Sequence, residues 1–210
     1  TIAALVVVLG SLSGWYLWPR RKEFLEFVVR ERVAIGVGEA LFLAVFFGWV
    51  AFRAYDPAIS HTEQPMDFAF FNASIRSEVG QPQDPWLSGE SISYYYFGHF
   101  MMAFLAQLTG VASSVGYNLG VSLVPALVAI GAFGLVYNLV RLSGGSLRAG
   151  MVFGGAGPVL ILLAGNLEGA MEFVHLQGWA GNGFWEWVGI KGLDGTATGS
   201  GVFPDGYWWW

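Results

Sequence analysis

Long apolar runs alternate with one long polar stretch along this chain. Runs of this length and composition are typical of helices that cross a membrane or lie along it. The polar stretch covers residues 54–91 and carries Asp-Pro and Gln-Pro pairs, which form turns. We therefore predict an all-α fold, a multi-pass transmembrane helical bundle whose loop 54–91 contains short interfacial helices. The apolar runs are residues 1–18, 34–52, 94–110, 117–140 and 149–165.

The composition supports a membrane environment. Hydrophobic residues make up 55% of the 210 residues and charged residues only 12%, whereas soluble domains carry about 25% charged residues. The net charge of −5 and the lack of a basic stripe exclude nucleic acid as a partner. The chain has no cysteine, so it forms no disulfide and no thiolate metal site.

The positive charges predict the orientation. Half of the ten Lys and Arg residues fall between Arg20 and Arg32, and cytoplasmic segments carry such an excess. Residues 19–33 are thus predicted to be cytoplasmic. Loop 54–91, which follows the next span, is predicted to be extracytoplasmic.

The number of crossings depends on residues 94–110. If this segment spans the membrane, the short basic turn with Arg141 and Arg148 lies outside, against the positive-inside rule. If it lies along the interface, that turn is cytoplasmic and Glu168 emerges on the side of the long loop. We favour the second alternative, which gives four crossings instead of five.

Three regions follow from this pattern. Residues 1–33 form a first transmembrane helix and a cytoplasmic interfacial segment, and residues 34–171 form the membrane core with loop 54–91. Residues 172–210 are rich in Gly and Trp, which predicts an irregular interfacial segment. Both ends look truncated, so we expect a piece of a longer membrane protein.

Loop 54–91 holds the first candidate for chemistry, Asp67. Pro65 can begin a helix, which places Asp67 in its first turn. There Asp67 either complements the helix dipole, worth less than about 1 kcal/mol, or serves as a functional carboxylate with His61 and Glu63 nearby.

A second group of candidates surrounds the Tyr94-Tyr95-Tyr96 run. These tyrosines are either an interfacial anchor or part of a site. His99, within an apolar run, is either a structural histidine or faces a cavity. Asp84 precedes Pro85 and is typical of a turn. ATP hydrolysis, serine-type hydrolysis and zinc peptidase chemistry have no support, because their motifs are missing.

The segments His61–Phe70, Asp84–Glu90 and Tyr94–His99 resemble the YYY-motif family of multi-pass membrane proteins, a domain of unknown function. The order of spans, acid-bearing loop and later acid is more distantly similar to the GT-C membrane glycosyltransferases. That resemblance implies transfer of a sugar from a polyprenyl-phosphate carrier, outside the cytoplasm. It also suggests the plasma membrane of a prokaryote.

The GT-C resemblance implies roles for particular residues. Asp67 matches the essential acid of the first external loop, with Glu63 and His61 beside it, and His61 would meet the charge of the leaving phosphate. A divalent metal is the one cofactor the resemblance suggests, but Asp67 lacks the paired acid of that superfamily, so we assign no metal ligands. The implied substrate-binding residues are Tyr94, Tyr95, Tyr96, His99, Asp84 and Glu168.

The expected function is therefore glycosyl transfer from a polyprenyl-phosphate-linked sugar to an extracytoplasmic acceptor, within a lipid bilayer. Two alternatives stay open. Glu39 and His99 at membrane depth would suit a transporter or permease, and the loops could instead serve a non-catalytic scaffold.

Overall fold

The computed structural model describes residues 2–60, 62–78, 80–164, 167–190 and 193. All regular elements in this part are helices, and no strand is described, which confirms the all-α prediction. The helices are α1 Ile2–Leu17, α2 Arg21–Arg30, α3 Arg32–Tyr55, α4 Gln64–Arg76, α5 Tyr96–Thr109, α6 Ser113–Leu142, α7 Leu147–Leu162, α8 Leu167–Leu176 and α9 Asn182–Val188.

Two of the described helices are long and apolar enough to cross a membrane, α3 with 24 residues and α6 with 30. At 1.5 Å per residue they reach about 36 and 45 Å, enough for a hydrocarbon core of about 30 Å. Large apolar side chains of α3, such as Phe47 (60% exposed), are not covered by protein. Lipid would cover them favourably.

The other apolar runs form shorter helices. α1 and α7 have 16 residues each and α5 has 14, so they extend about 24 and 21 Å. A multi-pass bundle with four or five crossings therefore stays a prediction.

The chain divides into two compact units, residues 1–130 and 131–210. In the first unit, α4 and α5 pack against each other and against the start of α6. Their buried core consists of Phe71, Ala103, Ala106 and Tyr117. A second buried cluster of Phe70, Ala73 and Ile92 joins α4 to the loop that precedes α5.

That loop is closed by short-range hydrogen bonds. The backbone N–H of Asp84 donates to the carbonyl of Glu90, and that of Ile92 donates to the carbonyl of Pro82, both at 2.9 Å. The Asp84 carboxylate accepts the N–H groups of Trp86 (2.8 Å) and Leu87 (3.1 Å). The turn that Asp84-Pro85 predicts is thus confirmed.

In the second unit, a four-residue turn joins α6 to α7. Gly144 adopts φ +85°, and the N–H of Gly145 donates to the Val140 carbonyl, which ends α6 in a Schellman motif. Ser146 then caps α7, because its side chain accepts the N–H of Ala149. On α7, Gly150, Gly154 and Gly157 face Tyr137, Phe133 and Ala132 of α6.

The prediction of an irregular segment from residue 172 is wrong for residues 172–190. This stretch contains the end of α8 and all of α9. The reason is aromatic packing, since Trp185 is buried and meets the His175 ring edge-on at 5.0 Å. Its indole N–H also donates to the Ala180 carbonyl. A list of Gly and Trp residues does not reveal such contacts.

Candidate functional site

The candidate site is built around Asp67 of α4 and His99 of α5. Pro65 lies in the first turn of α4, as predicted, and the N–H of Asp67 donates to the Glu63 carbonyl at 2.9 Å. Because α4 packs on α5, Asp67 Oδ1 lies 3.5 Å from His99 Nε2, and their side chains are 31% and 22% exposed. A carboxylate and an imidazole, 32 residues apart in sequence, thus meet at a partly open surface.

The surroundings shift both groups toward their neutral forms. Partial burial raises the pKa of Asp67 above 3.8, opposed by the charge of His99 and reinforced by the Glu63 carboxylate. Partial burial lowers the pKa of His99 below 6.5, although Asp67 opposes that shift. The two pKa values therefore move toward each other, and a proton passes between such a pair at lower cost than between ordinary Asp and His.

The first turn of α4 contributes two more polar groups. Glu63 is exposed and lies one turn before Asp67, which explains its effect on the Asp67 pKa. Gln64 precedes Asp67 by three residues, on the same face of the helix. Its side-chain oxygen is buried and accepts no hydrogen bond from the described residues. Because this oxygen is buried, it is not accessible to a ligand.

The three tyrosines before α5 differ in their surroundings. Tyr94 (46% exposed) and Tyr95 (79% exposed) lie at the surface with ring centroids 4.5 Å apart. Partial burial and the carboxylates of Glu63 and Asp67 raise the pKa of Tyr94. Tyr96 instead packs against the cluster of Phe70, Ala73 and Ile92. Only Tyr94 and Tyr95 are open to a ligand.

Phe70 connects these groups through its ring. Its centroid lies 5.3 Å from the edge-on ring of Trp86, 5.8 Å from Tyr94 and 6.1 Å from His99. Asp84 holds the backbone of Trp86 in place through the turn described above. Asp84 is therefore a positioning residue, since it orients Trp86 beside the site.

Not every predicted residue belongs to this group. His61 lies outside the described residues. Glu168 lies in α8, but its side chain is also outside the described part of the chain. Glu39 is exposed on α3, where no ion pair to another described residue involves it.

Sequence reasoning missed Arg53 and Asn118. Arg53 is the only Lys or Arg between Arg32 and Arg76, which is the signal that could have found it. Its guanidinium donates through Nε and Nη2 to Asn118 Oδ1, at 3.1 and 2.6 Å. No local pattern links the end of α3 to the start of α6.

The described site residues do not fit a zinc ion. Asp67 and His99 offer two ligand atoms, and the described residues contain no group of three His, Asp or Glu side chains that could hold a metal ion. Structural and catalytic zinc sites use three or more protein ligands. No step of the proposed reaction uses a metal.

The helices and the apolar surfaces define a helical membrane protein with a polar site beside the loop that joins α4 to α5. The chain belongs to the family described as Uncharacterized membrane protein (DUF2298), whose family model matches residues 1–210. No curated protein and no solved structure matches the chain.

Proposed function

We propose that this protein is a membrane glycosyltransferase, which moves a sugar from a polyprenyl-phosphate carrier to an extracytoplasmic acceptor. The observation that carries the proposal is the contact between Asp67 and His99, with Tyr94 beside it. A base with a raised pKa, next to exposed aromatic rings, suits an acceptor hydroxyl and a sugar. The resemblance in layout to GT-C enzymes supports the same function.

The proposed setting is the plasma membrane of a prokaryote, with loop 54–91 on the extracytoplasmic side. The basic segment around Arg20–Arg32 supports that orientation. α3 and α6 would be two of the crossings of a multi-pass bundle. At 14 residues, α5 is better suited to the interface than to a full span.

In the proposed reaction Asp67 is the base. Its carboxylate takes the proton of the acceptor hydroxyl while the acceptor oxygen bonds to C1 of the sugar. The bond between C1 and the phosphate oxygen breaks, and the lipid phosphate leaves with the electron pair from the opposite face. The sugar configuration inverts, as in hydrolysis by paired carboxylates.

The other residues have supporting roles in this proposal. His99 contacts Asp67 Oδ1, so Oδ2, which no described residue bonds, stays available for the acceptor. Tyr94 and Tyr95 would bind the sugar through their hydroxyls and rings. His61 keeps its predicted role at the leaving phosphate.

The test is Asp67→Asn in the full-length protein. Membrane vesicles would receive polyprenyl-phosphate-linked hexoses and pentoses with a radiolabelled sugar, and transfer into water-soluble products would be measured. Loss of a general base is expected to lower the rate by about 10²–10⁴-fold. Glu78→Gln is the matched control, since it removes an exposed carboxylate from the same loop. Undiminished transfer by Asp67→Asn would remove Asp67 from the mechanism.

Transport is the rival function, and it depends on Glu39 of α3. Proteoliposome uptake that is lost in Glu39→Gln and kept in Asp67→Asn would replace the glycosyltransferase proposal. A stoichiometric partner protein, with neither transfer nor uptake, would instead favour the scaffold.

A further inference from the structure

Arg53 is placed at the depth of lipid phosphates. It lies two residues before the end of α3, and Arg32 begins the same helix. The 21 residue steps from Arg32 to Arg53 correspond to about 32 Å of helix, close to the hydrocarbon thickness of about 30 Å. When one end of α3 lies at the membrane boundary, the Arg53 guanidinium therefore lies at the opposite boundary.

The Arg53 guanidinium is held but not neutralised. Nε and Nη2 both donate to Asn118 Oδ1, an uncharged acceptor. Asn118 is itself fixed, because its Nδ2 donates to the carbonyls of Pro57 (3.2 Å) and Ser114 (3.1 Å). Among the described residues, no carboxylate lies within ion-pair distance of Arg53.

This arrangement leaves one edge of the guanidinium open. Arginine has five N–H donors in a planar fork, and the Asn118 contact uses the edge formed by Nε and Nη2. The edge formed by Nη1 and Nη2 has no acceptor among the described residues. Such an edge matches two oxygens of a phosphate group.

Arg53 and Asn118 both line a cavity of about 340 Å³ between α3 and α6, within the range of small ligand sites. Its lining is mainly apolar apart from Arg53, Asn118 and serine residues, so it suits a ligand with a charged head and an apolar tail. The lining includes Val50, Pro57, Ser114, Val115, Leu119 and Ser122.

We propose that Arg53, fixed by Asn118, binds the phosphate group of a lipid in this cavity. The ring of Phe68, the residue after Asp67, packs on the ring of Tyr117, the residue before Asn118, with centroids 5.5 Å apart, so the cavity is close to the candidate site. If the lipid is a polyprenyl phosphate, the inference rests on the proposed function, and Arg53 would hold the donor's phosphate. Lipid binding can be measured without sugar transfer, so the proposed phosphate site and the proposed glycosyltransferase function can be disproved independently.

The experiment uses the full-length protein in phosphatidylcholine nanodiscs, with lipid binding followed by native mass spectrometry. The probes are a polyprenyl phosphate, phosphatidic acid and uncharged polyprenol. A phosphate site binds the first two and not polyprenol. Tighter binding of the polyprenyl phosphate identifies a carrier lipid, and equal or tighter binding of phosphatidic acid identifies a membrane phospholipid.

Two variants test the residues. Arg53→Gln removes the charge, and Asn118→Asp places a carboxylate against the guanidinium, which neutralises it while keeping it in place. Both are expected to weaken phosphate-lipid binding at least about tenfold, with helicity unchanged by circular dichroism. Arg76→Gln, at the exposed end of α4, is the matched control and is expected to bind normally.

Wild-type affinity in both Arg53→Gln and Asn118→Asp would overturn the inference, and so would equal binding of polyprenol. Normal lipid binding by Asp67→Asn is expected in either case. An arginine that only reaches toward the headgroup region would be insensitive to Asn118→Asp, so that variant separates a built site from general contact with lipid.

Discussion

The pairing of α4 with α5 and the pairing of α6 with α7 rely on opposite kinds of side chain. Between α6 and α7, glycines face Phe133 and Tyr137, so the backbones approach closely. Between α4 and α5, polar groups interrupt the aromatic packing at Asp67–His99 and at the Gln107 side chain, which donates to the Ile75 carbonyl at 2.6 Å. The first pairing is suited to tight association and the second leaves room for chemistry.

The largest effect on stability is expected from Gly157→Leu. A Cβ at this position would lie 3.0 Å from the Ala132 carbonyl oxygen, and that backbone atom cannot rotate away. Overpacking of this kind costs about 1–3 kcal/mol. The free energy of unfolding in detergent, measured by denaturant titration, should fall by that amount.

Gly155→Leu is the matched control, because nothing lies within 4 Å of a Cβ at Gly155. Its stability should be close to that of the wild type. Equal losses in both variants would mean that close backbone approach does not hold α6 and α7 together.

A smaller loss is expected from Gln107→Leu. It removes the donor to the Ile75 carbonyl while keeping a similar volume. A hydrogen bond of this type contributes about 0.5–1.5 kcal/mol. The same titration measures the loss, and an unchanged stability would show that the α4–α5 pair depends on its aromatic core alone.

The least disruptive change, His99→Gln, is expected to move a pH profile. The charge of His99 lowers the pKa of Asp67, while burial and Glu63 raise it. Without His99 the pKa of Asp67 rises further, so transfer activity should be lost at a higher pH as the solution is acidified. The measurement is kcat/KM against pH. If the activity of His99→Gln falls at the same acidic pH as that of the wild type, His99 does not influence the pKa of Asp67.

The pKa directions also predict how stability depends on pH. The raised pKa of Asp67 means that its contribution is present below pH 3.8 and is lost as pH rises through the higher folded value. The lowered pKa of His99 means that its contribution is present above pH 6.5 and is lost as pH falls through the lower folded value. The raised pKa of Asp67 and the lowered pKa of His99 both mean that the folded state favours the uncharged form of each side chain. The contact between them is therefore not held mainly by opposite charges.

The features that could be predicted from the sequence are those that depend on neighbouring residues. Hydropathy predicted α3 and α6, Pro65 predicted the start of α4, and Asp84-Pro85 predicted a turn. Asp67 and His99 were both candidates, but nothing local indicated that they contact each other, since tertiary packing brings them together. For the same reason, Tyr96 could not be separated from its exposed neighbour Tyr95.

The role of Arg53 could not be predicted either, because it depends on a residue that is distant in sequence. An arginine at the end of an apolar run is common at any membrane boundary, so its position alone indicates no specific role. Its specific role depends on Asn118, which is 65 residues away in sequence. A single arginine in a long apolar segment was the available signal, and its acceptor could not be inferred without the structure.

The four-residue turn between α6 and α7 has a consequence for the order of assembly. Its Schellman motif satisfies the end of α6 and its serine cap satisfies the start of α7, so this turn needs no distant residue to form. Tyr137 and Gly150 are close in sequence, and short loops close fast. We therefore expect this hairpin to form early during membrane insertion, before the more distant contact of Asp67 with His99 completes the site.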